Sequence, residues 1–224
     1  MTMHRPGRPA DLPPADVLWA RWALAAVLTA RTEDEDRGIH RTGTWVDGSG
    51  LHLDDCGCTW WTMRDLGGGR YVLYGEDESS QVKWHQPAVD MLAGGPDWLP
   101  YETLRDLLEG WELGCVYWYE NGAWARAPYP ETLGDDGLDC GISRFVAREE
   151  LCRELSLSAD DAAGLIAAAE GYRLGARALE ELASRAPDDA PDLAAMLRAL
   201  DLAGLAGPVE ERAAGAGSAS IGTP

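Results

Sequence analysis

The pair Asn121-Gly122 sits inside "CVYWYENGAWARA", between two runs that alternate in character. Asn-Gly supplies the two left-handed residues of a type I′ turn, whose twist matches that of paired strands. A hairpin closed this way has one register: Glu120 faces Ala123, Tyr119 faces Trp124 and Tyr117 faces Arg126. Side chains alternate along a strand, so Cys115, Tyr117, Tyr119, Trp124 and Arg126 share one face. Val116, Trp118, Glu120, Ala123, Ala125 and Ala127 share the other, where small alanines beside Trp118 suit close packing on a helix. The first face reads either as core or as a binding surface. Its Tyr, Trp and Arg have the composition of an interface, so Tyr117, Tyr119, Trp124 and Arg126 are the candidate binding residues.

The stretch from Thr42 to His85 extends the sheet. "TGTWV" and "LHL" flank Asp47-Gly48-Ser49-Gly50, "CTWWTMRDL" and "RYVLYG" flank Gly67-Gly68-Gly69, and "QVKWH" follows the acidic turn "EDESS". These connections are too short for parallel crossovers, which predicts an antiparallel meander. Adjacent Trp60 and Trp61 must point to opposite faces, so both faces of the sheet are covered.

Helices flank this core. Asp16 to Ala30 is apolar nearly all round and predicts a buried helix. Two preceding arginines give it some likeness to a signal peptide, but Arg21 interrupts the apolar run and acidic residues precede it. The charged "RTEDEDRG" predicts an exposed connection. Pro87 to Gly110 reads as two helical pieces, "SRFVAREELCREL" as one helix, and Ser158 with Asp161 as a capping box. The helix so capped runs to Ala186 or breaks near Gly171 or Gly175. Asp189 and Pro191 start a last helix, in which Leu193, Met196, Leu197 and Leu200 form one apolar stripe ending before Gly204. The expected class is α+β: an antiparallel sheet of about five to seven strands, a meander plus a hairpin, packed with helices and followed by a helical segment. The expected organisation is a flexible amino terminus (1–13), an α+β domain (14–155), a helical extension (156–206) and a disordered tail (207–224).

Charge narrows the partners. Asp plus Glu number 38 against 19 Lys plus Arg, a net of −19, and Lys83 is the sole lysine. Phosphate contacts need a basic surface, so direct nucleic-acid binding and docking on anionic membranes are disfavoured. A basic protein partner fits. Five cysteines at irregular spacings do not form a secreted disulfide framework and point to a reducing cytoplasm.

Few stretches look chemical. Cys56-Gly57-Cys58 with His52 is a weak metal candidate, because one intervening residue is fewer than the usual zinc spacing and no second cysteine pair exists. The bland alternative is a turn leading into a buried strand, with Cys58 as a small hydrophobe. Lys83 and His85 follow Glu76, Asp77 and Glu78 across a short turn, and a Lys–His–carboxylate cluster in a cleft could do acid–base work. No phosphate-binding loop, nucleophile elbow or HExxH helix is present, and no cofactor is expected. In composition, an acidic α+β module with a Trp-rich sheet and no catalytic motif resembles bacterial immunity and antitoxin proteins. The expected function is therefore a non-enzymatic, acidic, immunity-like or regulatory protein that engages a basic partner. The alternative is a small-molecule-binding protein or enzyme with a Trp-lined pocket between sheet and helices, using Lys83, His85, Glu76 and Glu78.

Overall fold

A computed structural model describes residues 3–30, 41–155, 157–184 and 192–206. The expected exposed connection at 31–38, the helix start at Asp189 and Pro191, and the tail 207–224 lie outside the described residues. Six strands form one antiparallel sheet in sequential order: β1 (Gly43–Asp47), β2 (Gly50–Asp54), β3 (Thr59–Asp65), β4 (Tyr71–Asp77), β5 (Cys115–Glu120) and β6 (Ala123–Arg126). The β5–β6 pairing joins Glu120 to Ala123, Tyr119 to Trp124 and Tyr117 to Arg126, as the Asn-Gly turn dictates. Trp61 is buried on one face and Trp60 packs on the other. The fold is α+β, with seven α-helices around the sheet among the described residues.

Each face has its own apolar cluster. The first lies beneath α1 (Ala15–Leu28), whose residues are buried from Leu18 to Val27 except Arg21. Trp22 stacks on Phe145 at 5.2 Å and 7°. The helix α3 (Asp139–Val146) is kinked at Cys140 and Gly141, and α4 (Arg148–Glu154) follows it. The expected single helix through 143–155 breaks at Ala147, which is extended (φ −113°, ψ 144°). Arg21 donates to the carbonyls of Phe145 and Val146, so the freed helix end is satisfied by a side chain from α1.

The carboxy-terminal helices α5 (Ala159–Glu170), α6 (Ala176–Ser184) and α7 (Leu193–Ala203) complete this layer. Ser158 caps α5 by accepting from the Asp161 N–H. Met196 and Leu200 of α7 are buried, and Gly204 follows in the left-handed region. α1 packs on both α5 and α7. An ion triad ties the extension down: Glu170 pairs with Arg21 (2.7 Å) and with Arg148.

The second cluster gathers Val72, Tyr74, Val116 and Trp118 under α2 (Tyr101–Glu109) and the loops around it. Only the second of the two expected helical pieces in 87–110 forms; Asp90 caps a turn through Leu92 N–H, and Gly94 is left-handed. Residues 81–85 form a turn rather than the expected strand. Gln81 is pinned instead to the loop after β6, donating its N–H to Asp135 and accepting from the Gly134 N–H.

Residues 3–14 are packed, where sequence suggested a loose terminus. Met3 and Leu12 belong to the first cluster. Asp11, almost fully buried, accepts from the N–H groups of His4 and Arg8 and closes the segment on itself. This strap lies across β6. No helix of the described residues is long and apolar enough to cross a membrane.

Candidate functional site

The metal candidates do not converge. Cys56 and Cys58 are both exposed in the β2–β3 turn, where Cys56 (φ 82°) and Gly57 (φ 96°) reverse the chain. The Glu78 carboxylate, then burial and Asp55, push the Cys58 thiol up, which opposes thiolate formation. His52 lies elsewhere, stacked on Trp45 at 5.0 Å and hydrogen-bonded to Thr62 Oγ1 (3.0 Å), Ser49 Oγ (2.9 Å) and Asp47 Oδ1 (3.1 Å). Among the described residues, no group of three or more His, Cys, Asp or Glu could hold a metal ion.

Thr62, His52 and Asp47 do form a hydroxyl–imidazole–carboxylate row. Thr62 is only 6% exposed, and its hydroxyl is shielded from solvent. Burial holds the imidazole below its ordinary pKa, against the pull of Asp47. Asp47 itself sits at about 2: burial pushes it up, but hydrogen bonds from Ser49 and the His52 interaction outweigh that. The row closes the β1–β2 turn.

Of the acid–base candidates, Lys83 and Glu76 come together, and His85 bonds elsewhere. Lys83 Nζ pairs with Glu76 Oε2 at 2.6 Å. His85 turns away, its Nδ1 bonded to the carbonyl of Pro87 (2.8 Å) in the same turn. Glu78 is exposed. Residues 81–85 form a turn, so no strand alternation aligns Lys83 with His85. A cleft of about 480 Å³ exists elsewhere, walled by Trp19, Arg64, Tyr172 and Leu202, and neither Lys83 nor His85 lines it.

The hairpin face is covered by the protein itself. Tyr117 is fully buried and Trp124 is 8% exposed; Tyr119 and Arg126 are half-buried. Trp124 Nε1 donates to Pro13 O (2.7 Å) and Arg126 Nε to Gly7 O (3.1 Å), both in the strap. Tyr117 donates to the buried Asp136 (2.7 Å). The guanidinium of Arg126 also lies 3.6 Å from the Tyr129 ring centre. These four residues therefore line a covered face, because a Pro-rich segment with no periodicity packs there.

What the sequence reading missed is on the other side of Lys83. Trp84 and Trp111 are 61% and 58% exposed and stack on each other at 5.6 Å and 22°. Lys83 Nζ lies 5.1 Å from the Trp84 ring centre. Exposed Glu109 and Glu112 flank Trp111 in the chain, and Glu76 holds the lysine. Trp111 has φ 58°. It occupies the position after Gly110 where α2 ends: Trp111 N–H bonds Leu108 O (3.2 Å) and Glu112 N–H bonds Leu107 O (2.9 Å). That pattern is a Schellman cap, whose left-handed residue is normally glycine. The sequence signal was Gly110-Trp111, an aromatic directly after a helix-ending glycine.

Comparison with known protein families, characterised proteins and solved structures finds no match.

Proposed function

We propose that this protein is a non-enzymatic binding module, immunity-like or regulatory, whose acidic surface engages a basic protein partner. The observation that carries the reading is the exposed Trp84–Trp111 stack with Trp111 in a left-handed position. A non-glycine residue there costs about 1–2 kcal/mol of backbone energy, and local strain concentrates at functional positions. Trp is the residue most enriched at interface hot spots, and its face attracts arginine and lysine. Lys83 above Trp84, neutralised by Glu76, is an internal example of that chemistry. The net charge of −19 supplies long-range attraction for a basic partner. Five cysteines at irregular spacings do not read as a secreted disulfide framework, which supports the cytoplasm as its compartment. Lys83 is held by Glu76, His85 bonds the Pro87 carbonyl and neither lines the cleft of about 480 Å³, which weighs against the acid–base alternative.

The test is an aromatic photocrosslinker placed at position 84 in the source cell, with position 153 as an exposed control. The expected result is capture of one basic polypeptide from position 84 alone, lost when Trp111→Ala is added. No polypeptide, or the same set from both positions, contradicts the reading.

A further inference from the structure

The strap over the hairpin is held in the way that a protein holds a peptide. Its directional contacts with the sheet and the loop after β6 fall on main-chain atoms. Trp124 Nε1 donates to Pro13 O, Arg126 Nε donates to Gly7 O, and Asp136 Oδ1 accepts from Gly7 N–H at 2.8 Å. Asp136 is oriented for this by the Tyr117 hydroxyl on its other oxygen. One strap side chain adds charge: Arg5 pairs with Asp139 (2.7 Å) and Asp135 (3.2 Å). Backbone contacts tolerate sequence; besides the buried Met3, Leu12 and Asp11, two positions select it at the docking face. The double carboxylate asks for arginine. At Gly7 a Cβ would lie 2.8 Å from both Leu138 and the Tyr117 hydroxyl, so only glycine fits. Leu12 and Pro14 have extended, polyproline-like dihedrals (φ −86°, ψ 139° and φ −48°, ψ 145°). An aromatic groove whose Trp donates to the carbonyl of a proline-rich segment is a recurring mode of peptide recognition. Beside the strap, a groove of about 370 Å³ stays open between its prolines and Tyr119 and Trp124.

We propose that the β5–β6 face and the Asp135–Asp139 loop form a docking site for a turn-forming Arg- and Pro-containing peptide with glycine two residues after the arginine. Residues 3–14 occupy this site in the resting chain and compete with any ligand supplied in trans. Being tethered, they act at an effective concentration of about millimolar, so an outside ligand binds once the strap is weakened. The site uses none of the residues of the Trp84–Trp111 stack, and either proposal can fail without the other.

The test uses the full chain and a labelled synthetic peptide of residues 3–14, followed by fluorescence anisotropy. Arg5→Glu sets a carboxylate against Asp135 and Asp139 without touching the core. Gly7→Val releases the strap through the blocked Cβ. Each variant is expected to bind the peptide at least about tenfold more tightly than the unaltered chain. Adding Trp124→Phe, which removes the indole donor, should weaken that binding by about tenfold, the worth of one hydrogen bond. The proposal is overturned if folded Arg5→Glu and Gly7→Val proteins bind no better than the unaltered chain, or if Trp124→Phe leaves binding unchanged. It is equally overturned if both variants lose cooperative unfolding, because the strap is then part of the core.

Discussion

The ends of α2 and α5 carry the same local pattern, Glu109-Gly110-Trp111-Glu112-Leu113 and Glu170-Gly171-Tyr172-Arg173-Leu174. Both close in a Schellman cap. Tyr172 N–H bonds Ala169 O (2.8 Å) and Arg173 N–H bonds Ala168 O (2.9 Å), as Trp111 and Glu112 do for α2. Both leucines are buried, and both aromatics are left-handed, at φ 58° and φ 51°. Yet the surroundings differ. Tyr172 is half-buried against the first cluster and donates to Asp16 O at 3.0 Å, docking α5 on α1. Glu170 beside it holds Arg21 and Arg148. Trp111 and Glu109 are exposed, and the Trp111 ring stacks on another exposed indole. The third cap, after α7, uses Gly204 and has no such strain. The same backbone cost is offset by tertiary contacts in α5. In α2 the aromatic meets only another exposed indole, and the proposed partner site rests on that contrast.

The comparison breaks most sharply at the glutamates. Glu170→Ala leaves Arg21, itself largely buried, without its carboxylate, and should cost about 3 kcal/mol in denaturant unfolding. Glu109→Ala should fall within about 0.5 kcal/mol of zero. Equal losses would mean that the two caps are energetically alike. Next is Tyr172→Gly. It loses aromatic packing and the bond to Asp16 but relieves the left-handed strain, for a net loss of about 1.5 kcal/mol. A gain in stability would show that this packing does not offset the strain.

A pH series sharpens the same contrast. Burial pushes the Glu170 carboxyl up, but hydrogen bonds from Arg148 and Arg21 outweigh it, and the group ends below its ordinary 4.5. The stabilisation is therefore complete above 4.5 and is lost as pH falls through the lower folded value. The stability gap between the unaltered chain and Glu170→Gln should narrow across that acid range. A gap independent of pH would assign the loss to packing alone.

Much of the frame was legible from local chemistry. Asn121-Gly122 set the hairpin register, the adjacency of Trp60 and Trp61 required two covered faces, and Ser158 marked the start of α5. What escaped depended on contacts distant in sequence. "QVKWH" has strand-like composition, but Gln81 is tied to Gly134 and Asp135, and the segment turns. Nothing periodic in residues 3–14 announces that Asp136, Trp124 and Arg126 will fix their backbone. The covered state of the hairpin face followed from that one unforeseen contact. Trp111 was legible only as an aromatic after a glycine, and its exposure required knowing that α2 ends at the surface.

Smaller effects are expected at the platform. Trp84→Ala should change stability by no more than about 0.5 kcal/mol, as for an exposed side chain, while abolishing capture of a partner through Trp111. A loss of several kcal/mol on unfolding would reassign the stack to the fold.

The most direct measurement is the unfolding free energy of Trp111→Gly beside its partner capture from position 84. Glycine removes a left-handed penalty of about 1–2 kcal/mol and adds back up to about 1 kcal/mol of chain entropy. The account predicts a protein as stable as the original or up to about 1 kcal/mol more stable, with capture lost. A variant destabilised by more than about 1 kcal/mol, or one that still captures the partner in full, would contradict it.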